Sequence, residues 1–504
     1  MRILFVYPDI GGVEHYGARK YYHGIGYISA VLKRAGHAAS LLYLTQEPER
    51  EAFLAQVRAA APAVAAFSAT THQYPVVERC ASWLKEEMPE VFLIAGGVHP
   101  TLAPETAARS PALDALCVGE GELPLLELVE RLERGEDVSS IQNLWVRRPD
   151  GWRRNPLRPL LQPLDELPFA DREIFDFDAI LSANGGWVDM MAGRGCPYRC
   201  SYCCNPGLQE RYRGLGRYVR YRSVENILAE IEALAKRYPV RVLNFQDDVF
   251  TLNRRWALAF CEAYAARFRF PFWINTRVER ILDDEELVRA LARAGCAGVR
   301  IGLESGNEQM RREILKRGMT NDEIRRAFRL LRRHGLRVST CNMLGLPRET
   351  PEMIEETIAL NRELAPDDLQ FSVFYPYPMT ELHDRALREG LLKGERTLWG
   401  YYSPESVLEL PTLTPAQLAE KYRRFERLKA ELHLRRRHPW RYHLRRIALA
   451  LLGGDEERLQ GVLDFVRGRK RGKIREQLER ILPKLWTFLF IMTPIGNMWE
   501  TGAI

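Results

Sequence analysis

One short stretch of the chain carries three cysteines at the spacing Cys-x3-Cys-x2-Cys. These residues are Cys196, Cys200 and Cys203, and Tyr202 stands just before the last of them. Thiolates on one short loop are soft ligands, and soft ligands select iron–sulfur clusters, zinc or copper. On a four-iron cluster, three thiolates would leave one iron open for a small molecule. The loop therefore predicts a metal centre and is the most informative part of the chain.

A structural zinc site is the simplest alternative for this loop, with Cys204 or a distant thiol as the fourth ligand. Zinc ribbons usually bring a second Cys-x2-Cys or Cys/His pair in sequence. The other cysteines of this chain stand singly, and no histidine lies at ligand spacing. An iron–sulfur cluster therefore fits the loop better. Cys204 is then a buried bystander or a thiol that contacts a cluster ligand.

The composition is that of a globular protein. The 504 residues suffice for about two to four domains, 46% of them are apolar, and the net charge is +7. The nine cysteines are an odd number and do not resemble a disulfide framework. No secretion signal is recognisable, and no apolar run approaches the ~20 residues of a membrane span. We therefore expect a cytoplasmic protein.

Strands and helices alternate along residues 1–140, which predicts an α/β domain with a doubly wound, Rossmann-like parallel sheet. Ligands of such sheets lie beyond the carboxyl ends of the strands. The polar and glycine-rich turns of this region all follow predicted strands, so they should share one edge. The predicted strands are 3–7, 40–44, 63–68, 91–95 and 115–118, and the turns carry Ser68, Thr70, Gly96, Gly97, His99, Gly119 and Glu120.

A second alternating series runs through residues 184–390. Its six strand–helix steps are fewer than the eight of a closed barrel, so we predict a partial (β/α)6 barrel of the TIM type. An incomplete barrel leaves one side open for a large substrate or a partner domain. The cysteine loop follows its first strand. Between the two series, residues 141–183 carry several prolines and little periodicity, and we predict a linker there.

Polar residues also stand at the ends of later barrel strands. Asp247 and Asp248 end the second strand, and Glu304 and Ser305 end the fourth. Taken singly, such an acid is more often the N-cap of the following helix than a ligand. Their placement at successive strand ends, in the domain that holds the cysteine loop, instead favours a shared cofactor site.

The cysteine loop resembles the signature of the radical S-adenosylmethionine (radical SAM) enzymes. In that family three thiolates hold a [4Fe–4S] cluster, whose open iron binds the amino and carboxylate groups of S-adenosylmethionine. One electron then cleaves this molecule into methionine and a 5′-deoxyadenosyl radical. The resemblance implies that the three cysteines are the cluster ligands. It also implies contacts to S-adenosylmethionine from Tyr202, Asp247, Asp248, Glu304 and Ser305.

Residues 1–140 resemble the cobalamin-binding domain of the B12-dependent members of this family. The resemblance implies that the turns of the first sheet, from Ser68 to Glu120, contact cobalamin. One departure concerns the cobalt, because the Asp-x-His-x2-Gly motif of cobalamin mutases and methionine synthase does not occur here. A protein ligand to cobalt is therefore not assigned. His99 is a candidate contact, although a loop histidine bonded to the backbone is the simpler interpretation.

Methyl transfer to an unactivated carbon is the commonest reaction of the class that this resemblance implies. The 5′-deoxyadenosyl radical takes a hydrogen atom from the substrate, and methylcobalamin supplies the methyl group. Two alternatives stay open: a cyclase or oxidase reaction without methyl transfer, and a cobalamin-binding redox sensor without catalysis. The implied partners are a small-molecule substrate and an electron donor of the flavodoxin or ferredoxin type.

Residues 391–504 are predicted to form a helical, basic region with an apolar end at 486–492. The simplest interpretation is a solvated helical face. A second is peripheral contact with an anionic membrane surface, which would suit a hydrophobic substrate. Nucleic acid is not expected as a partner, because aromatic residues are not interleaved with the arginines. The basic clusters are Arg435, Arg436, Arg437, Arg441, Arg445 and Arg446, and then Arg467, Arg469, Lys470, Arg471 and Lys473.

Overall fold

A seven-stranded sheet forms the N-terminal part of the computed structural model, which describes residues 1–393 and 400–451. Its strands along the chain are β1 (Arg2–Pro8), β2 (Ala38–Leu44), β3 (Val64–Ser68), β4 (Phe92–Gly96), β5 (Ala115–Cys117), β6 (Leu144–Arg148) and β7 (Gly151–Arg154). Their order across the sheet is β2-β1-β3-β4-β5-β6-β7, and β1 to β5 run parallel. This confirms the doubly wound sheet, whose strand order reverses beside β1.

Helices cover both faces of this sheet. They are α1 (Ile10–Tyr16), α2 (His23–Arg34), α3 (Arg50–Ala60), α4 (Tyr74–Glu87), α5 (Val98–Leu102), α6 (Pro104–Ala107) and α7 (Glu122–Glu133). Alternate residues of β1 enter two cores, Phe5 with α2 and α7, and Val6 with α3 and α4. Burial on both faces explains the continuous apolar run of β1. The sequence pattern does not predict the short α1, because Gly11 and Gly12 weaken it.

Residues 141–183 are not the plain linker that we predicted. Their first part forms the hairpin of β6 and β7, which pairs antiparallel with β5 and extends the sheet. Arg154 lies 4.4 Å from the centroid of the Trp145 ring, and Arg147 lies 4.3 Å from that of Trp152. The prolines around the hairpin hid this alternation in the sequence. The elements that follow are a 3-10 turn (Leu164–Glu166) and helix α8 (Phe177–Ala183).

A second sheet follows the cysteine-bearing part of the chain. The strands of this region are β8 (Trp187–Met190), β9 (Gly193–Arg194), β10 (Arg220–Tyr221), β11 (Val242–Phe245), β12 (Phe272–Thr276), β13 (Cys296–Glu304), β14 (Arg337–Leu344) and β15 (Asp368–Val373). All except β9 and β10 form one parallel sheet in the order β15-β14-β13-β12-β11-β8. Six parallel strands with β8 and β15 at the two edges confirm the partial (β/α)6 barrel.

The two faces of this second sheet differ in polarity. Its helices are α9 (Asn205–Arg211), α10 (Val224–Arg237), α11 (Arg254–Arg267), α12 (Glu285–Arg293), α13 (Asn321–Arg333), α14 (Pro351–Leu364) and α15 (Glu381–Arg388). Val188 and Leu243 are fully buried in the core with them. Residues on the other face link the strands by hydrogen bonds: Asn244 donates to Asp189 at 2.6 Å, and Arg300 donates to Asn244 at 2.7 Å. The inner face of the barrel is therefore polar.

The chain forms two compact units, residues 1–426 and residues 427–504. The first unit contains both sheets. The predicted domain boundaries at residues 140, 183 and 390 stay predictions. The second unit is described as far as residue 451, so the predicted basic cluster at 467–473 and the apolar end at 486–492 lie outside the described residues.

Two helices form the C-terminal part of the described chain, α16 (Pro415–Arg437) and α17 (Pro439–Leu451). Their helical character is as predicted. On α17, Trp440 is 44% exposed and Ile447 is 47% exposed. No helix within the described residues combines the length and the apolar character that a membrane span requires.

The turn after β13 leaves no room for a side chain at Gly306. A Cβ added there would lie 2.5 Å from backbone atoms of Glu356 and Thr357 in α14. We expect Gly306→Ala to push these segments apart and to cost about 1–3 kcal/mol of folding free energy. Chemical or thermal unfolding followed by circular dichroism measures the loss. The matched control is Gly318→Ala, whose added Cβ has nothing within 4 Å. Equal losses in both variants would contradict the packing argument.

The buried carboxyl of Glu349 makes the stability of the fold depend on pH. Its Oε2 accepts the backbone amides of Gly345 at 2.7 Å and Leu346 at 3.1 Å. Burial raises its pKa from 4.5 to about 8. Between these values the folded chain keeps a proton that the unfolded chain has lost. The contribution of this group to stability is therefore complete below pH 4.5 and is lost as the pH rises through about 8.

We expect Glu349→Gln to reduce the fall in the unfolding midpoint between pH 4.5 and about 8, because an amide side chain stays neutral throughout. Thermal unfolding at a series of pH values tests this. Glu262 is exposed on α11, so Glu262→Gln serves as the control and should leave the pH dependence unchanged. The assignment is wrong if wild type and Glu349→Gln lose stability equally over this range.

Candidate functional site

The cysteine loop begins just after β8 and is held by a short antiparallel strand pair. Strands β9 and β10 place Arg194 opposite Arg220. Gly195 follows with φ +87°, and a Cβ at this position would lie 2.6 Å from the carbonyl oxygen of Tyr218. Only glycine allows the chain to pass so closely in this conformation. Helix α9 begins directly after the loop, with Cys204 as its N-cap residue.

The three predicted cluster ligands all lie in this loop. Cys196 and Cys200 are buried, Cys203 is partly exposed, and all three thiols are free of disulfides. Burial raises the pKa of Cys196 to about 11, and the nearby charges of Cys203 and Cys200 add to the rise. Among the described residues, no three His, Cys, Asp or Glu side chains converge tightly enough to hold a single metal ion. A cluster needs a wider arrangement, because each thiolate binds a different iron.

Hydrogen-bond donors surround the sulfur of Cys203. The Cys204 thiol donates to it, and the backbone amide and Nδ2 of Asn205 lie 3.5 and 3.4 Å away. The Cys204 hydrogen bond has the largest effect, and together these donors lower the pKa of Cys203 to about 6 against the effect of burial. The pKa of Cys204 is raised in return. Cys203 therefore favours the thiolate, the form that binds metals.

Two buried arginines reach the sulfur of Cys200. Nη1 of Arg277 lies 3.2 Å from this sulfur, and Nη1 of Arg317 lies 3.8 Å from it. Arg277 also stacks on the Tyr198 ring within the loop, 3.8 Å from its centroid. A guanidinium group so placed donates to the sulfur and offsets the negative charge of a thiolate.

Tyr202 and Glu304, both predicted to contact S-adenosylmethionine, lie together with Arg317. The Tyr202 hydroxyl donates to Glu304 at 2.9 Å and accepts from Arg317 at 3.2 Å. Burial raises the pKa of Glu304 and that of Tyr202. Ser305 is fully buried, and its Oγ lies 3.5 Å from Oγ1 of Thr357. Ser305 thus supports the turn after β13, and its contact with S-adenosylmethionine stays a prediction.

The two acids after β11 have different partners. The carboxylate of Asp247 accepts the backbone amides of Ala192 at 3.1 Å and Gly193 at 2.6 Å. Burial raises its pKa to about 7. Asp247 therefore anchors the chain just before the cysteine loop, and its contact with S-adenosylmethionine stays a prediction. Asp248 is exposed and lies 3.3 Å from Nδ2 of Asn205, so it is the better placed of the two for a ligand.

Several residues predicted to contact cobalamin line the carboxyl edge of the first sheet. Ser68 ends β3, and Gly96 ends β4. Gly97 has φ +88°, and a Cβ there would lie 2.9 Å from Oγ of Ser68, so the turns after β3 and β4 touch. The amide of Gly119, after β5, donates to Oγ1 of Thr101 at 3.0 Å. Glycine and other small residues therefore predominate where these turns meet.

Thr70 and His99 lie beside this edge with partners of their own. Oγ1 of Thr70 lies 3.3 Å from Nδ1 of His72. His99 is buried, its Nδ1 lies 3.3 Å from Oγ1 of Thr71, and its ring centroid lies 4.4 Å from that of Tyr74. The ring therefore has a side-chain partner, Thr71, whereas the simpler interpretation expected a hydrogen bond to the backbone. Contacts of Thr70 and His99 with cobalamin stay predictions.

Glu120, in the turn after β5, pairs with two arginines of the strands around the cysteine loop. Its carboxylate receives both Nη atoms of Arg220, at 3.0 and 2.5 Å, and pairs with Arg194 at 3.0 Å. Arg194 pairs in addition with Glu122 at 2.5 Å. The carboxylate is thus engaged by two arginines, and its contact with cobalamin stays a prediction. We call these four side chains the ion-pair junction, which joins the turn after β5 to the strands that frame the cysteine loop.

A second link connects the two sheets near their carboxyl ends. The 3-10 turn Gly400–Tyr402 contacts both α1 and β15. The ring of Tyr401 meets that of His72 edge-on, with the centroids 6.4 Å apart. Just after β15, the rings of Tyr375 and Tyr377 lie 4.9 Å apart. The carboxyl ends of both sheets therefore border one shared, largely aromatic region.

Several side chains that shape the site were not predicted from the sequence. Arg277 directly follows β12, so the same strand-end reasoning that selected Asp247 could have found it. Asn205 adjoins the last cysteine at the start of α9, where a polar residue is expected to meet free backbone groups. Arg317 comes after a π-helix, Met310–Ile314, and no local pattern marks it.

The residues present fit the cofactors that the family resemblance implies. Three free thiols lie on one loop, donors reach two of the sulfurs, and one thiol already favours the thiolate. At the edge of the first sheet, Gly96 and Gly97 leave the backbone accessible, and the side chain of Val98 is 47% exposed. The first arrangement suits an iron–sulfur cluster, and the second suits the broad face of cobalamin.

Comparison with known proteins agrees with this geometry. The Radical SAM superfamily model matches residues 190–360, and the B12 binding domain model matches residues 15–129. An uncharacterised methyltransferase of Pyrococcus horikoshii is 30% identical over 368 residues, which are 72% of this chain and 77% of the relative. The anaerobic magnesium-protoporphyrin IX monomethyl ester cyclase of Rubrivivax gelatinosus is 28% identical over 394 residues, 76% of this chain and 69% of the relative.

Solved structures share the fold. The radical S-adenosylmethionine methyltransferase TsrM of Kitasatospora setae superposes with a TM-score of 0.66 at 17% identity, covering 85% of this chain and 89% of that chain. At this identity the likeness concerns the fold alone. The two domain matches and the P. horikoshii relative establish the family, and the thiol loop agrees with it. The chain belongs to the cobalamin-dependent radical SAM enzymes, whose cofactors are a [4Fe–4S] cluster, S-adenosylmethionine and cobalamin.

Proposed function

We propose that this enzyme transfers a methyl group from S-adenosylmethionine, by way of cobalamin, to an unactivated carbon of a small molecule. The ion-pair junction carries the proposal, because it ties the turn after β5 to the strands around the cysteine loop. A radical generator and a methyl carrier serve one reaction only if a single substrate can reach both. The similarity to the methyltransferase of P. horikoshii supports the same reaction.

When bound, the cluster with S-adenosylmethionine supplies a 5′-deoxyadenosyl radical, and cobalamin supplies the methyl group. The residues of this chain bind and orient these cofactors. Cys196, Cys200 and Cys203 would hold the cluster, while Asp247 fixes the start of their loop through two backbone amides. Asp248, beside the loop, would receive the ammonium group of S-adenosylmethionine, and its contact with Asn205 supports this role.

The polar inner face of the barrel is suited to the polar parts of a bound molecule. Asp189, Asn244 and Arg300 form a hydrogen-bonded row across three strands. The guanidinium of Arg300 also lies 5.2 Å from the centroid of the Trp273 ring. These groups offer a carboxylate, an amide and a cation to a ligand without further rearrangement, which is how preorganised sites gain affinity.

The aromatic region near Gly400–Tyr402 would limit the access of water to the reacting carbon. Its rings come from both halves of the first unit, with His72 from one and Tyr377 from the other. Exclusion of water protects a reactive radical from side reactions. The enclosure also favours an organic substrate with apolar surface.

Ring formation without methyl transfer is the second candidate function. The observation that favours it is the similarity to the R. gelatinosus cyclase over most of both chains. The two reactions share radical generation and differ in whether the product keeps a methyl group from S-adenosylmethionine. Labelled methyl groups therefore distinguish them.

We propose two kinds of partner beyond the substrate. An electron donor of the flavodoxin or ferredoxin type must reduce the cluster, since the radical reaction consumes one electron. For the C-terminal part we propose peripheral contact with an anionic membrane surface in the cytoplasm. Arg435, Arg436 and Arg437 end α16, and the exposed Trp440 follows at once.

Cluster formation tests the ligand assignment. We expect Cys196→Ala, Cys200→Ala and Cys203→Ala each to lose the iron–sulfur absorption and most bound iron after anaerobic reconstitution, because each removes one iron ligand. Cys204→Ala is the matched control from the same loop and should keep the cluster. Iron and sulfide analysis measures the outcome. A full cluster in any of the three ligand variants would contradict the assignment.

Product analysis tests the reaction. We expect the reconstituted, reduced wild-type protein to form 5′-deoxyadenosine from S-adenosylmethionine, and Cys200→Ala to form none. Cells that contain the protein should accumulate a metabolite heavier by one CH2 unit, labelled when the methyl group of S-adenosylmethionine is labelled. Mass spectrometry measures both products. An unlabelled product with altered ring structure would favour the cyclase, and the absence of 5′-deoxyadenosine would contradict both candidates.

A further inference from the structure

We propose that Arg277 and Arg317 set the reduction potential of the cluster by donating hydrogen bonds to the Cys200 thiolate. The inference rests on the proposed function, because it concerns the same cluster. Both arginines are positioning residues: each acts through a ligand sulfur and does not itself bind iron. Their contacts with Cys200 are distinct from the network that holds the loop to the first sheet.

Both Nη atoms and the flat face of the Arg277 guanidinium group have partners. Nη1 lies 3.2 Å from the sulfur of Cys200, and Nη2 lies 2.6 Å from Oε1 of Glu279. The flat face rests on the Tyr198 ring at 3.8 Å from the centroid. Because Arg277 is only 6% exposed, water hardly competes for its donors.

Arg317 approaches the same sulfur from another segment of the chain. Its Nη1 lies 3.8 Å from Cys200 and 3.2 Å from the Tyr202 hydroxyl, and its Nη2 lies 2.5 Å from the carbonyl oxygen of Gly302. The carboxylate of Glu304 lies 3.9 Å away. Arg317 is 4% exposed, so this second cation is as well shielded as the first.

The sign of the effect follows from charge. Reduction adds one electron to the cluster, so the reduced state is the more negative of the two. Hydrogen bonds and cations near the ligand sulfurs stabilise that state and raise the reduction potential. Nearby carboxylates have the opposite effect, and Glu279 is one of them. In a site of low polarity these influences are stronger than in water.

The test is a potentiometric titration of the anaerobically reconstituted full-length protein, followed by electron paramagnetic resonance of the reduced cluster. No S-adenosylmethionine or substrate is added, so the readout does not depend on catalysis. Arg277→Gln should shift the midpoint potential to more negative values, and Arg277→Lys, which keeps the charge, should shift it less. Glu279→Gln should shift it to more positive values. Arg280→Gln is the control, since Arg280 is exposed and its side chain lies on Tyr198, with Nε 2.5 Å from the hydroxyl and the guanidinium carbon 5.5 Å from the ring centroid.

Opposite shifts in Arg277→Gln and Glu279→Gln, with Arg280→Gln unchanged, support the inference. Unchanged potentials in both variants overturn it, and so do shifts of the same sign. If Arg277→Gln fails to assemble a cluster, the Glu279→Gln variant decides the test. A shift of its potential to more positive values supports the inference, and no shift or a negative shift overturns it. A wild-type protein that takes up no cluster overturns the proposed function itself. A wild-type cluster without methyl transfer overturns only that function and leaves the titration valid.

Discussion

The ion pairs of Glu120 with Arg194 and Arg220 are the interaction on which the arrangement of this enzyme depends. Arg220 meets the carboxylate with both Nη atoms, and Arg194 stands two residues before Cys196. Two-pronged, charge-assisted contacts fix orientation as well as distance. One turn of the cobalamin-binding sheet is thereby locked to the strands that frame the cysteine loop. The ion pairs therefore hold the cysteine loop at a set distance from the edge of the first sheet.

Around this junction the three thiols have unequal surroundings. Two guanidinium groups reach Cys200, amide and thiol donors reach Cys203, and burial dominates at Cys196. A cluster held by unequal ligands has an electronically asymmetric environment before any substrate binds. Cys204 and Asn205 belong to this environment although neither is a predicted ligand. The chemistry of the loop is therefore shaped by its neighbours as much as by the cysteines themselves.

Much of the fold and the centre of the site could be predicted from the sequence. Apolar runs located the strands of both sheets, because the strands of the first sheet are apolar on both faces and those of the second are apolar on the face that packs against its helices. The spacing of the cysteines sufficed because the ligands lie on one loop. The sequence did not predict contacts between residues that are far apart in the chain. Glu120 binds Arg220, which lies 100 positions away in the chain, and Arg317 reaches Cys200 across 117 positions. The hairpin of β6 and β7 was missed for a local reason, since prolines beside it resemble a linker.

The central claim is that the cluster and cobalamin serve one shared reaction space. Electron paramagnetic resonance of protein carrying both a reduced cluster and cob(II)alamin tests this most directly, because two unpaired spins in one cavity influence each other magnetically. We predict a spectrum that differs from the sum of the spectra recorded with each centre alone. A spectrum equal to that sum, from protein shown to contain both centres, would contradict the account.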